Sequence, residues 1–275
     1  MPVDVQAEVL DNARLSDDYN VIALDAPGIA SVAAPGQFVM VKTGPGLEPL
    51  LRRPFSIFEV LRDRAGRASG ITLMNKRVGL GTTQLFEART GDRVEVLGPL
   101  GRPFEVVDPP TRAWLVAGGV GLAPFATLAS ALLARGTDTT LFYGARRGGD
   151  LHRVELFEHL GLRVVTSTED GSRGERGFVT VPLARELGAV GPDVPVRVYA
   201  CGPTPMMRAV TALARQHGRR CDVSLEQTMG CGMGGCFSCV VRVRRPDGPP
   251  HFVRSCLAGP VFDGRDIVWE ELAGH

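Results

Sequence analysis

Lysine is almost missing from this 275-residue chain: Lys42 and Lys76 are its only two, and the other basic residues are arginines. A genomic composition bias accounts for that more simply than function does. A surplus of one charge is missing too. Thirty-one basic residues stand against thirty acidic ones, a net charge of +1. That balance excludes a protein that works by coating nucleic acid, which needs an excess of Lys and Arg. No apolar run approaches the roughly 18 residues of a membrane span, so no spanning helix is expected. Residues 1–10 alternate apolar and acidic in the manner of a strand and lack the basic-then-apolar pattern of an export signal. The five histidines (His152, His159, His217, His251, His275) are scattered and form no acid–base or nucleophilic array. The expected setting is a reducing cytoplasm.

Glycine and proline are abundant by contrast, at 34 and 20 residues. Together they make about a fifth of the chain, above average usage, and imply many turns and backbone held close to ligands. With 44% hydrophobic and 22% charged residues, the chain can bury substantial cores. At about 100–200 residues per domain, its length allows two domains and a short third. Up to about residue 103, short β-type runs at 21–24, 37–41, 56–60 and 93–97 are bounded by Pro, Gly or Asp. That pattern predicts an antiparallel barrel or sandwich. After Pro109-Pro110, strand candidates at 113–117, 139–143, 162–166 and 196–200 alternate with helical stretches at 126–135, 151–160, 179–187 and 204–217. Alternation of this kind predicts a parallel sheet with crossover helices. The expected domains are 1–104, 105–222 and 223–275, the last one small and metal-bound.

The six cysteines are Cys201, Cys221, Cys231, Cys236, Cys239 and Cys256. A disulfide framework belongs to short secreted chains, so clustered thiols here are expected to bind metal. Cys231-Gly-Met-Gly-Gly-Cys236-Phe-Ser-Cys239, with Cys256 following after sixteen further residues, has the C-x4-C-x2-C…C spacing of a plant-type [2Fe–2S] site. Three sulfurs must converge on two irons from one tight loop. Gly230, Gly232, Gly234 and Gly235 permit positive φ and expose N–H groups that can face the sulfides. A structural zinc site usually takes two C-x2-C pairs, and only Cys236 and Cys239 have that form. Cys221 lacks the spacing and reads as a core thiol.

Arg52-Arg53-Pro54-Phe55-Ser56 combines a guanidinium able to pair with pyrophosphate, an aromatic and a hydroxyl, a set that suits a flavin dinucleotide. The same residues also make an ordinary charged strand entry. Further on, Gly79 and Gly81 permit close backbone approach. Gly81-Thr82 opening a helix offers N–H donors to a phosphate, or is a plain Thr-capped start. Gly118-Gly119-Val120-Gly121-Leu122-Ala123-Pro124-Phe125 joins an apolar strand to a helix, where a dinucleotide can lie across the strand ends. It departs from the G-x-G-x-x-G fingerprint, and a tight βα turn explains it as well. Cys201-Gly202-Pro203 closes another strand, where a small polarisable thiol suits a stacked ring or is simply buried.

Together these motifs resemble the ferredoxin–NADP reductase superfamily. Arg53-Pro54-Phe55-Ser56 is similar to its R-x-[YF]-S flavin element, and residues 118–125 to its G-G-x-G-x-[AT]-P nucleotide turn. Cys201-Gly202-Pro203 with Met206 is similar to its C-G-P-x-x-[ML] element. The cysteine tail, preceded by Leu225-Glu226 and followed by Gly259-Pro260-Val261-Phe262, most resembles the electron-transfer subunits of type B dihydroorotate dehydrogenase. The resemblance implies a multidomain β plus α/β chain: an FAD-binding antiparallel β-barrel, a parallel-sheet NAD domain and a small C-terminal [2Fe–2S] domain. It implies FAD at Arg53, Pro54, Phe55, Ser56, Met74, Asn75, Lys76, Gly81 and Thr82, and NAD(H) at Gly118, Gly119, Gly121, Pro124, Gly202 and Pro203. Cys201 is the catalytic candidate, placing the nicotinamide ring. Cys231, Cys236, Cys239 and Cys256 are the implied cluster ligands. The implied partner is an FMN-containing catalytic subunit that oxidises dihydroorotate to orotate in pyrimidine biosynthesis, in a heterotetramer of two subunits of each kind. Flavin subunits of ferredoxin-dependent NADPH oxidoreductases or sulfhydrogenases, and oxygenase reductase components, are the alternatives. Arg146-Arg147 can read a 2′-phosphate, whereas Asp150 favours NAD.

Nicotinamide carries hydrides, an iron–sulfur cluster carries single electrons, and a flavin handles both. A chain with all three sites is therefore a converter with the flavin at the junction.

Overall fold

The computed structural model describes residues 1–44, 46, 48–245 and 247–272; His275 and the end of the expected 223–275 domain lie outside the described residues. Contacts divide the chain into two compact units, each gathered from three segments. The first comprises Met1–Pro103, Gln227–Val240 and Arg254–Pro260, and the second Phe104–Glu226, Val241–Val253 and Val261–His275. Among the described residues no helix is long and apolar enough to cross a membrane.

The first unit is built from β1 (Val3–Arg14), β2 (Tyr19–Asp25), α1 (Pro27–Ala30), β3 (Phe38–Lys42), β4 (Arg53–Arg62), β5 (Ala68–Lys76), α2 (Leu80–Glu87) and β6 (Arg93–Leu100). Its strands close into an antiparallel barrel in the order β1-β2-β5-β4-β3-β6, as the short bounded runs predicted. Period-2 alternation makes the interior. Ile22 and Leu24, Val39 and Val41, Phe55 and Ile57, Ile71 and Leu73, and Val94 and Val96 all point into one core, closed by Ile29 of α1 and Leu85 of α2. Strand β3 breaks the alternation because it is apolar on both faces. Phe38 and Met40 lie on its other side, in a second cluster with Leu97, Leu100, Met229, Cys239 and Cys256. The barrel wall is thereby the floor of the cysteine tail.

The second unit begins with β7 (Arg112–Gly118), α3 (Phe125–Ala134), β8 (Thr139–Ala145), α4 (Val154–His159), β9 (Arg163–Thr168), β10 (Glu175–Arg176), α5 (Thr180–Ala189), β11 (Val196–Cys201), α6 (Thr204–Gln216) and β12 (Arg220–Ser224). The tail runs through β13 (Val240–Arg245), β14 (Gly248–Arg254), α7 (Ser255–Ala258) and β15 (Val261–Asp263). The main sheet has the order β10-β9-β8-β7-β11-β12-β15. It is parallel up to β12, with β15 added antiparallel at the edge. Ala113, Trp114, Leu115, Val116 and Ala117 of β7 are all buried, as a strand covered on both faces requires. The chain moves outward from β7 to β8, β9 and β10, then returns to the other side of β7 with β11. The order therefore reverses between β7 and β11, where open α/β sheets bind their ligands. Helix α4 is shorter than the 151–160 stretch expected, because Arg153 enters it from the left-handed region at φ 60°.

Candidate functional site

The motif residues Arg53, Pro54, Phe55 and Ser56 open β4, opposite Val41, Met40, Val39 and Phe38 of β3. Phe55 packs inside the barrel, while Pro54 and Ser56 stay half-buried on the alternate side. A Cβ on Gly81 would stand 3.2 Å from Thr43 Oγ1 and 3.4 Å from Arg53 Cγ. The Arg53 stem therefore lies against the first turn of α2, and its Nη1 donates to the Leu51 carbonyl at 2.8 Å. Thr82 Oγ1 accepts the N–H groups of Val78 and Gly79 at 2.8 and 3.0 Å. Helix geometry leaves the N–H groups of Leu80, Gly81 and Thr82 without an intrahelical acceptor. A fixed positive charge, a helix N-terminus and a position without a side chain thus share one place, which fits a pyrophosphate. Met74 is buried. Asn75 is buried too and donates to Thr82 O at 2.9 Å. Lys76 is turned away, with its ammonium 5.4 Å from the Tyr19 ring centroid.

In the second unit the two nucleotide motifs meet at the switch point. Ala117 of β7 lies opposite Cys201 of β11. A Cβ on Gly121 would fall 2.4 Å from Cys201 O and 2.6 Å from Gly202 Cα, so only glycine fits there. Gly118 and Gly202 both lie against Met206, a residue of the third motif. Gly119 opens a 3-10 turn to Leu122, and Pro124 precedes α3, which has no side-chain cap. The strand end, the glycine turn and the helix start without a side-chain cap lie together at the switch point, which fits a dinucleotide. Pro203 is exposed and Cys201 is buried. Burial pushes the Cys201 thiol well up, and the Glu226 charge adds to it. Cys201 is therefore a neutral thiol, not a nucleophilic thiolate. Arg147 Nε lies 3.6 Å from Asp150 Oδ2, so those two groups answer each other, and Arg146 is exposed.

The four tail cysteines belong to the first unit. Among the described residues, no three His, Cys or carboxylate side chains converge as a single bound ion requires. The four sulfurs neighbour one another instead: Cys231 acts on the Cys236 thiol, and both Cys239 and Cys231 act on that of Cys256. Four neighbouring thiols are the donor set of a [2Fe–2S] centre. The N–H groups of Met233 and Gly235 point at Cys231 Sγ at 3.4 and 3.2 Å, and that of Cys256 at Cys239 Sγ at 3.5 Å. The glycines permit this wrapping. Gly232 and Gly234 have φ +70° and +83°, and a Cβ on them would stand 2.5 Å from Met40 Cγ and from Leu257 Cδ1. Hydrogen bonding to Ser238 and then to Cys231 lowers the exposed Cys236 thiol to about 6. Burial raises Cys256 to about 12. Ser255, fully buried one residue before Cys256, has a hydroxyl with no partner among the described residues. Such a donor suits the sulfur of a cluster.

Several supporting residues gave no sequence signal. Arg254 Nη1 donates to Gly234 O at 2.7 Å, and its guanidinium covers the Phe237 ring at 4.7 Å. Phe237 needs that support, since it is held at φ 59°, a left-handed conformation that costs about 1–2 kcal/mol. Met40 under the cluster loop was legible only as an apolar residue, whereas Met206 beside Gly118 was carried by the C-G-P-x-x-[ML] resemblance. Cys221 lies in the core, its thiol pushed up to about 12 by burial.

Comparisons with known proteins agree with this geometry. A family model described as an oxidoreductase NAD-binding domain matches residues 115–212. A second, described as the iron–sulfur cluster binding domain of dihydroorotate dehydrogenase B, matches residues 226–268. The chain is similar to the electron transfer subunit of dihydroorotate dehydrogenase B (NAD(+)) of Desulforamulus reducens, at 36% identity over 96% of this chain and 98% of that protein. The subunit of the same name from a Geobacillus species is 35% identical, with the same coverage. Among solved structures, the NADH-dependent reduced ferredoxin-NADP oxidoreductase superposes with a TM-score of 0.84 at 29% identity, covering 98% of this chain and 91% of that one.

Proposed function

The chain belongs to the family of dihydroorotate dehydrogenase B electron transfer subunits, and on that premise we propose that it passes electrons from a dihydroorotate-oxidising partner flavoprotein to NAD+. FAD supplies the exchange between hydride and single electrons when bound, and the [2Fe–2S] centre carries the single electrons. The work divides among the segments 1–104 for FAD, 105–222 for NAD(H) and 223–275 for the cluster. One observation carries the reading: β3 pairs with the Arg53–Ser56 stretch of β4, while its Phe38 and Met40 floor the cysteine cradle. Neighbouring strands lie about 4.8 Å apart, so the flavin-motif strand and the cluster loop are one strand removed from each other. That is the proximity that stepwise electron transfer needs.

In this reading Arg53 and the first turn of α2 neutralise the FAD pyrophosphate. Gly118, Gly119, Gly121, Pro124, Gly202 and Pro203 clear room for the dinucleotide, and the neutral Cys201 packs beside the nicotinamide ring. Cys231, Cys236, Cys239 and Cys256 hold the irons. The exposed rim of the cysteine loop suits the partner. Leu50, Leu51, Met233, Phe237 and Leu257 are each at least 46% exposed, an apolar surplus that marks an interaction face. The partner is an FMN-containing catalytic subunit, two copies of each chain make the complex, and its free thiols suit the reducing cytoplasm.

The test is to purify the chain with its dihydroorotate-oxidising partner and follow NADH formation on addition of dihydroorotate. The pair should reduce NAD+. A pair that carries full FAD and cluster by visible spectrum, yet yields no NADH, would overturn the reading.

A further inference from the structure

Three asparagines form a polar chain across one end of the barrel. Asn20 of β2 lies directly opposite Asn75 of β5, and Asn12 of β1 lies diagonally from Asn20. Asn75 Nδ2 donates to Asn20 Oδ1 at 2.7 Å, and Asn20 Nδ2 donates to Asn12 Oδ1 at 2.6 Å. The far end grips α2. Asn12 Nδ2 shares its two hydrogens among the carbonyls of Leu85, Phe86 and Ala88 at 3.1, 3.2 and 2.7 Å. Asn20 adds a bond to Leu85 O at 3.4 Å. At the near end, Asn75 holds the Thr82 carbonyl at 2.9 Å. Asn20 and Asn75 are completely buried.

A hydrophobic core would be simpler at these positions, because each buried amide must be satisfied or costs about 1–3 kcal/mol. The chain satisfies most of these groups by meeting one another and the carbonyls that a helix C-terminus leaves open, while Asn75 Oδ1, at the end nearest the first turn of α2, has no partner among the described residues. Every link donates in the same direction, toward α2, so the helix is held at both its first turn and its last. We propose that Asn12, Asn20 and Asn75 are positioning residues that fix α2 so that its N-terminal turn stays in register with Arg53 for the flavin pyrophosphate. The inference rests on the FAD site proposed above and deepens it. Asn75 serves that site through its side chain's grip on the helix. Asn12 acts from the opposite end of α2, about 12 Å from the helix start, where it has no route to the phosphates except through the helix.

The experiment uses the full-length holoprotein and the variants Asn12→Ala, Asn20→Leu and their double, with Arg53→Ala as reference. Asn12 is half-buried at the barrel end, so Asn12→Ala keeps the test available should Asn20→Leu fail to fold. The readouts are the FAD dissociation constant, from the rise of flavin fluorescence on dilution, and the increase in Tm that added FAD produces. Each single variant should raise the dissociation constant about tenfold, equivalent to ~1.4 kcal/mol, and shrink the FAD-dependent Tm increase. The cluster spectrum should stay unchanged. The double variant should be little worse than either single, because links of one chain do not add. Asn12→Ala with parental FAD affinity, beside a weakened Arg53→Ala, would overturn the positioning role and leave the FAD site standing. A lower Tm without FAD but an undiminished FAD-dependent increase would also overturn it, as a purely structural effect. Parental FAD affinity in Arg53→Ala would overturn the FAD site and the inference together.

Discussion

Cys201 shows how burial selects among the roles a residue type allows. A thiol at a strand end can be a nucleophile, a ligand or a packing group, and desolvation holds this one in its neutral form. Cys201→Ala should therefore slow hydride transfer, through poorer ring placement, while FAD stays bound. Stopped-flow reduction of the flavin by NADH measures this, and a parental rate would exclude the role. Ser255 raises a different question, that of a buried donor without an acceptor among the described residues. Hydrogen bonds to cluster sulfurs raise the reduction potential, so Ser255→Ala should lower the midpoint of the [2Fe–2S] centre at unchanged iron content. An EPR redox titration reads it directly.

Elements carry function here through what they leave out. The turn after β7 is held against β11 so closely that a methyl group at position 121 would overlap the backbone of Cys201 and Gly202. Backbone cannot swing aside as a flexible side chain can, so Gly121→Ala must part the two strands. Overpacking of this kind typically costs about 1–3 kcal/mol. The variant should lose several degrees of Tm and bind NADH more weakly, with FAD and cluster content preserved. An unaltered KM for NADH would show that the turn does not border the nucleotide. Strand β3 makes the opposite case. Its apolar run at 38–41 looked in the sequence like any buried strand, yet its two faces serve two different cores.

On the scale of the whole molecule, the chain builds each compact unit from segments distant in sequence. In the second unit, a network of charges fastens the returning tail. Asp222 pairs with Arg197 and Arg220, while Asp263 of β15 pairs with Arg220 and Arg265. Burial alone would push the Asp263 carboxyl up. Hydrogen bonds from the side chain and backbone of Arg265, with the charges of Arg265 and Arg220, outweigh it and hold the group below its ordinary value. A carboxylate depressed in this way contributes stability that is complete above its unfolded value, about 3.9. That stability is lost as pH falls through the folded value. Asp263→Asn should lower the Tm at pH 7, and its deficit should close as the pH drops below about 4. A deficit that is constant across that range would rule out the ionised pair as its cause.

The sequence by itself determined the parts whose chemistry is local. Cysteine spacing named the cluster, alternation drew the barrel strands, and glycines beside strand ends marked where a dinucleotide could lie. Each depends on residues within a few positions of one another, which is the range that periodicity and turn chemistry reach. Only the tertiary structure decided the rest. It gathered the four sulfurs, put Met40 beneath their loop, set Gly121 against Cys201, and aligned Asn12, Asn20 and Asn75 along one helix. Most of those relations join residues tens of positions or more apart, through barrel closure and the reversal of strand order. What Asn20 or Met40 touches from its strand is settled only when the neighbours from the other strands are in place.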